Sequence, residues 1–177
     1  MNKVANITIL LLVTALSGCV TSESNQLPAI PANLTVNSDQ ILSTEARATG
    51  VQIYTCNEKT HGQFEWTFNA PEAELYDNNG RRIGKHYAGL TWESVDGSKV
   101  IGTLKVKNPS PDRRAIPWLL VNTKSNEGKG VFADTTSIQR INTVAGKAPE
   151  QPCDKAQLGK TARMDYSATY LFYKSKS

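Results

Sequence analysis

Apolar and polar residues alternate along most of the chain beyond residue 33. Phe64, Trp66 and Phe68, for example, are separated by Glu65 and Thr67. Because successive side chains of a β-strand point to opposite faces, this period of two predicts a strand with one apolar and one polar face. The same pattern, or a run of β-branched and aromatic residues, predicts further strands at 49–56, 74–76, 83–87, 91–95, 100–107, 116–122, 131–141 and 164–173.

Turn-forming residues separate the predicted strands. DNNG at 77–80 and DGS at 96–98 have the composition of hairpin turns, and no stretch after Cys19 keeps a helical period beyond one or two turns. We therefore predict an all-β fold, a single antiparallel β-sandwich or barrel-like domain. Pro117 lies inside an apolar run, which favours an edge strand or a bulge. On the last strand one face is expected to carry Met164, Tyr166, Ala168, Tyr170 and Phe172.

The first eighteen residues have the three parts of a secretory signal peptide. Lys3 is their only charge, residues 4–16 are almost wholly apolar, and the run is too short to span a bilayer permanently. LSGC at 16–19 then resembles the lipobox of bacterial lipoproteins, in which the cysteine receives a diacylglycerol and becomes the new N-terminus. The alternative is an ordinary signal peptide that ends near a cysteine.

The lipobox divides the chain into a lipoprotein signal peptide at 1–18, a lipidated tether at 19–33 and a β-rich domain at 34–177. Pro28 and Pro31 stiffen a tether that is otherwise rich in Ser, Glu, Asn and Gln. Each buried methylene of an acyl chain contributes ~0.8 kcal/mol, so more than one chain anchors stably. Val20, in place of the Asp that often retains lipoproteins at the inner membrane, favours the outer membrane of a Gram-negative envelope.

The charge and the cysteines narrow the expected partners and cofactors. The formal net charge of +4 falls by one when Lys3 is removed, and so small a balance argues against a nucleic-acid partner. Once Cys19 is lipidated, Cys56 and Cys153 form an even pair in an oxidising compartment, which predicts a disulfide. Two free thiols or a metal site are the alternatives, but with only two histidines in the chain a zinc site lacks an obvious ligand set. We expect no metal and no cofactor.

Motifs for several enzyme classes are missing from the sequence. It contains no dinucleotide-binding glycine pattern, no phosphate-binding loop, no nucleophile elbow and no zincin motif. Whether the protein is an enzyme stays open, with the balance against it. The one concentration of polar and aromatic groups lies within eleven residues and consists of His86, Tyr87, Trp92, Glu93 and Asp96.

This cluster has two interpretations. In the first, His86, Glu93 and Asp96 share a cleft with Arg140, and the histidine acts as a general acid or base. In the second, His86 satisfies a backbone group and Asp96 makes a hydrogen bond within its turn. The tryptophans are then core residues. If the domain instead binds a ligand, the candidates for ligand contact are His86, Trp92 and Trp118.

Several segments of uncommon sequence are spread along the predicted domain. They are GVQIYTC at 50–56, HYAGLTWE at 86–93, DGS at 96–98, IPWLL at 116–120, IQRINT at 138–143, Cys153 and YSATYLFY at 166–173. On these segments the chain resembles a family of exported proteins of unknown function from bacteria and fungi, some fungal members of which carry a malate dehydrogenase label. Because the sequence contains no dinucleotide-binding motif, that label has no support in this chain. The resemblance implies a fold and an export route but no reaction. Leu90 stands at a position where the resemblance implies a proline, so a looser turn is expected there.

The anchor and the missing motifs favour a membrane-anchored envelope lipoprotein whose β-rich domain has a binding or structural role. One alternative is a hydrolase or lyase on an envelope or extracellular substrate that uses His86 with Glu93 or Asp96. Another is a carrier whose apolar interior holds a small hydrophobic ligand. Besides the membrane, which is reached through the N-terminal lipid, we expect a small molecule or an envelope component as partner.

The lipid anchor is testable by metabolic labelling. Cells that express the protein should incorporate labelled palmitate into it, and Cys19→Ala should abolish the incorporation because the acceptor thiol is lost. Incorporation that persists in the variant would contradict the assignment.

Overall fold

The computed structural model describes residues 29–60 and 62–176, in which eight antiparallel strands form one closed barrel. Each strand pairs with its neighbours in sequence, and the last strand pairs with the first to complete the ring. The all-β antiparallel prediction is confirmed, with the barrel as the arrangement. The strands are β1 (Gln40–Thr60), β2 (Gln63–Tyr76), β3 (Arg82–Tyr87), β4 (Thr91–Ser94), β5 (Lys99–Asn108), β6 (Trp118–Glu127), β7 (Thr135–Ala145) and β8 (Thr161–Ser175).

The two predicted hairpin turns are present. The Asp77 carboxylate accepts hydrogen bonds from the backbone N–H groups of Asn79 and Arg81, both at 2.9 Å, and thereby closes the turn between β2 and β3. Gly97 occupies the left-handed region, at φ 86°, in the turn between β4 and β5. Glycine has no Cβ to clash there, so the tight turn forms without strain.

Several details of the strand prediction are wrong. The alternating segment from Phe64 to Phe68 and the segment at 74–76 belong to one strand, β2, and β1 begins at Gln40 and not at residue 49. Pro117 lies immediately before β6, outside any strand, so it occupies neither an edge nor a bulge within one. β7 begins at Thr135 and not at residue 131. The reason is that residues just before it are held in a turn, where Val131 N–H donates to Asp96 Oδ2 at 2.8 Å and Phe132 N–H donates to Ser98 Oγ at 3.1 Å.

The interior of the barrel is packed with aromatic residues around Trp92. Its ring lies 5.5 Å from that of Tyr170 and 6.2 Å from that of Phe172, both edge to face. Space for the indole depends on Gly102, because a Cβ there would lie 3.2 Å from Trp92 and 2.3 Å from Val121. The predicted face of β8 is confirmed at its buried positions, which are Tyr166, Ala168, Tyr170 and Phe172; Met164 is half-buried.

A second, smaller cluster covers part of the outer surface of the barrel. Residues that point away from the interior meet the fully buried Leu34, whose carbonyl accepts a 2.6 Å hydrogen bond from Gln139 Nε2. Ile30, within the predicted tether, also packs against the cluster. Residues 19–28 of that tether and the predicted signal peptide at 1–18 lie outside the described part of the chain. The buried members are Leu34, Trp118, Leu120, Ile141 and Leu171.

The predicted disulfide is confirmed. Cys56, on β1, is bonded to Cys153, which lies in the long connection between β7 and β8. The bridge therefore ties this connection to the barrel wall. Within the described residues no helix is long and apolar enough to cross a membrane.

Reduction of the disulfide should destabilise the barrel. The bridge joins residues 97 positions apart, and closing a loop of that size lowers the entropy of the unfolded chain by an amount worth ~4–5 kcal/mol. Urea unfolding with and without reductant measures the loss, and the double variant Cys56→Ala/Cys153→Ala should be insensitive to reductant. A native protein whose mass does not rise on reduction would contradict the bridge.

Candidate functional site

One end of the barrel interior is an open cavity of about 460 Å³. Strands from both halves of the ring contribute to it, so its residues are far apart in sequence. Its walls are mostly apolar and aromatic, and three buried polar side chains, Gln52, His86 and Arg140, lie among them. The remaining lining residues are Tyr54, Trp66, Phe68, Pro71, Leu90, Leu104, Lys107, Ile116, Pro117 and Leu119.

Two large apolar side chains of the cavity remain in contact with solvent. Phe68 is 48% exposed and Leu104 is 47% exposed. The Phe68 ring also meets the Tyr54 ring edge to face, with the centroids 5.7 Å apart. Apolar walls with a few convergent polar groups are typical of sites for small organic molecules.

Arg140 supplies the cation of the cavity. On β7 it pairs across the sheet with Leu119 of β6 and Tyr170 of β8, and only 8% of it is exposed. Its Nε and Nη2 donate to the Pro117 carbonyl at 3.1 and 2.8 Å. Among the described residues no Asp or Glu lies within ion-pair distance of the guanidinium. Because an arginine stays charged at neutral pH, this is a buried cation held by a neutral group.

Several other buried polar atoms in the same interior lack a hydrogen-bond partner within the described part of the chain. Buried polar groups are normally bonded, so their concentration here is notable. Burial raises the pKa of Tyr170 and Tyr166, and the Arg140 charge opposes that rise. Both phenols are therefore neutral at pH 7 and able to donate. The orphaned atoms are Gln52 Nε2, Trp92 Nε1, Tyr166 Oη and Tyr170 Oη.

His86 is the histidine at the wall of this cavity. Its ring stacks on Trp92, with centroids 4.4 Å apart and planes 10° apart. Nδ1 lies 2.8 Å from the Thr91 carbonyl, so Nδ1 carries the proton. Burial lowers the pKa of His86 from 6.5 to about 3, with the Thr91 hydrogen bond opposing and the Arg140 charge adding to the effect. The imidazole is consequently neutral at physiological pH.

Glu93 and Asp96 lie away from His86. Because His86 pairs with Trp92 and Lys85 with Glu93, the histidine and the glutamate point to opposite faces. Glu93 accepts from Tyr87 Oη at 2.7 Å and pairs with Lys85 at 3.4 Å. Of the predicted catalytic group, then, the structure brings together only His86 and Arg140.

The Asp96 carboxylate has a local structural role. Oδ1 accepts from Ser98 N–H at 2.8 Å and from its hydroxyl at 2.6 Å, and Oδ2 accepts from Val131 N–H. Burial raises the pKa of Asp96, but the hydrogen bonds from Ser98, Val131 and Ser94 outweigh it and bring the pKa to about 2. Asp96 therefore stays ionised and joins two turns.

The structure places the three residues predicted as ligand contacts in different surroundings. His86 lines the cavity, whereas Trp92 lies beneath it in the core and Trp118 lies in the outer cluster. Gln52 was missed, although a polar residue in the apolar strand GVQIYTC was a usable signal. Among residues 29–60 and 62–176 no group of three His, Cys, Asp or Glu side chains is placed to hold a metal.

Residues 37–174 match a family model whose description is "Protein of unknown function (DUF3455)". The chain belongs to this family. The match runs from just before β1 nearly to the end of β8, so the DUF3455 region and the closed barrel coincide. No curated protein matches the chain.

The turn that enters β4 differs from the one implied by the resemblance. Leu90, in place of the implied proline, has φ 52°, a left-handed value that a proline ring does not allow. Such a value costs on the order of 1 kcal/mol or more in a residue with a side chain. In this DUF3455 protein the strained residue is also one that lines the cavity.

The buried imidazole should make stability depend on pH. Below about pH 6.5 the ring takes up a proton in the unfolded chain but not in the folded one, so the free energy of unfolding should fall by up to about 1.4 kcal/mol per pH unit toward pH 3. Denaturant unfolding from pH 7 to 4.5 measures the slope.

Two variants identify the titrating ring. His86→Phe keeps an aromatic ring on Trp92 and should remove this part of the slope, while the carboxylate contribution stays the same. His61→Gln removes the other histidine of the chain and serves as the comparison, so a slope lost only in His86→Phe belongs to His86. An unchanged slope in His86→Phe would contradict the prediction.

Proposed function

We propose that this DUF3455 protein is an exported envelope lipoprotein, anchored through lipid on Cys19. Its barrel binds a small organic molecule in the open cavity at one end of the interior. The observation that carries the binding role is the cavity itself. Its volume of about 460 Å³ lies within the ~300–1,000 Å³ common for small-molecule sites. Its half-exposed Phe68 and Leu104 offer apolar surface that a ligand would remove from water.

The geometry favours binding over catalysis. The alternative hydrolase or lyase needs His86 beside Glu93 or Asp96, and those carboxylates are engaged elsewhere. Nε2 of the neutral His86 keeps its lone pair, but burial lowers the pKa of the ring to about 3, which makes it a weak general base near neutral pH. What the cavity provides is an apolar wall and fixed hydrogen-bond donors, which select and hold a ligand.

The anchor would keep the site near the membrane. The proposal for Cys19 rests on the lipobox at 16–19, which lies outside the described residues. From Cys19 to Ala29, the first described residue, is ten residues, which reach at most about 35 Å when extended. A ligand in the envelope would therefore meet the barrel close to the lipid surface.

Titration with the neutral apolar dye Nile red tests the binding role. The chain from Val20, which contains every described residue, should bind the dye saturably and with enhanced fluorescence. Leu104→Ala should weaken binding about three- to tenfold, because part of the apolar contact is lost.

Leu42 provides a matched control. It is a β1 leucine, 46% exposed, that does not line the cavity, so Leu42→Ala should leave the affinity unchanged. Non-saturable uptake of dye, or an equal loss in both variants, would refute the cavity as the binding site.

A further inference from the structure

The state of Arg140 points to the chemistry of the ligand. Of the five N–H donors that an arginine has, two are used on the Pro117 carbonyl. The Tyr170 hydroxyl is also close to the guanidinium, but within the described residues no carboxylate pairs with it. A guanidinium taken out of water is costly unless an anion compensates it. Arg140 lines the cavity, so the uncompensated cation is accessible to a ligand that enters.

The rest of the cavity is also arranged for negative charge. Within residues 29–60 and 62–176 no Asp or Glu lines it, and its second charged residue is Lys107, at the rim. Lys107 and Pro117 also line an adjoining recess with Arg113 and Lys147. Asp112, the acid of that recess, is paired with Arg114 at 3.3 Å. The approach to the cavity is therefore positive, which attracts anions.

Buried polar side chains near the guanidinium add to this arrangement, and one of them, Gln52, lines the cavity. Gln52, Tyr166 and Tyr170 are each at most 3% exposed, and each has a side-chain polar atom without a partner in the described part of the chain. A carboxylate accepts several hydrogen bonds and pairs with arginine through two parallel ones. An anionic oxygen in the cavity could thus accept hydrogen bonds from Arg140 and from Gln52, whose Nε2 has no partner within the described residues.

We infer that the ligand is an organic acid, with an apolar body against Phe68 and Leu104 and a carboxylate paired with Arg140. This inference rests on the proposed function, because it names the chemical class of the ligand for the same cavity. The apolar walls select against small inorganic anions, since those would leave Phe68 and Leu104 in water. Neutral apolar molecules should bind more weakly than organic anions of the same shape, because they leave the buried cation uncompensated.

Matched probes test the inference without any change to the protein. 2-Naphthoate and 2-naphthalenemethanol share one ring system and differ in charge. By calorimetry, the chain from Val20 should bind the carboxylate at least about tenfold more tightly than the alcohol, as expected for a charge-assisted pair. Equal affinities, or no carboxylate binding, overturn the inference.

Variants then assign the preference to one residue. Arg140→Gln should abolish the difference between the two probes, and Arg140→Lys should retain part of it. Arg163 gives the control, because it is exposed on the outer surface and paired with Glu72; Arg163→Gln should retain the full difference. A preference that survives in folded Arg140→Gln overturns the assignment.

The two proposals fail in distinguishable ways. If Nile red binds at the cavity but the carboxylate has no advantage, small-molecule binding stands and the organic-acid inference is rejected. If neither Nile red nor the naphthyl probes bind, the proposed function is rejected together with the inference.

Discussion

The structure depends on the pairing of β8 with β1, which closes the sheet. That pairing runs from Gln40–Ser175 to Thr55–Thr161. Closure removes the free edges of the sheet and gives every strand one inner face and one outer face. The interior must then be filled, and Trp92, Phe132 and Phe172 fill one part of it. The other part, which is lined by residues of β1, β2, β3, β5, β6 and β7, stays open as the cavity.

The period-two pattern was sufficient to predict the fold class, but it could not predict register. Phe64, Trp66 and Phe68 alternate as expected, yet the buried residues after them are Pro71, Ala73 and Leu75, at odd positions. The ladder between β1 and β2 shifts by one residue next to Ile53 and Tyr54. One extra residue exchanges the two faces of a strand, and nothing in composition marks the position where it occurs.

The same limit explains the candidate site. His86, Glu93 and Asp96 are close in sequence, but pairing of His86 with Trp92 turns Glu93 to the opposite face. Arg140 joins His86 because β7 lies across the interior from β3, and only closure of the ring brings these strands near each other. Local clusters of polar residues were therefore a poor guide. A polar residue in an inward position of an apolar strand, such as Gln52 or Arg140, is the better signal.

Arg140 connects the fold with the proposed binding function. Its two hydrogen bonds to the Pro117 carbonyl hold the chain just before β6 and fix the direction of the guanidinium. A neutral donor would satisfy that carbonyl without the desolvation of a charge, so the carbonyl alone does not account for an arginine at this position. What an arginine adds over a neutral donor is its positive charge, and in the described barrel no carboxylate pairs with that charge. A bound anion would supply the missing partner, which is why a buried charge that the fold itself does not compensate is informative about function.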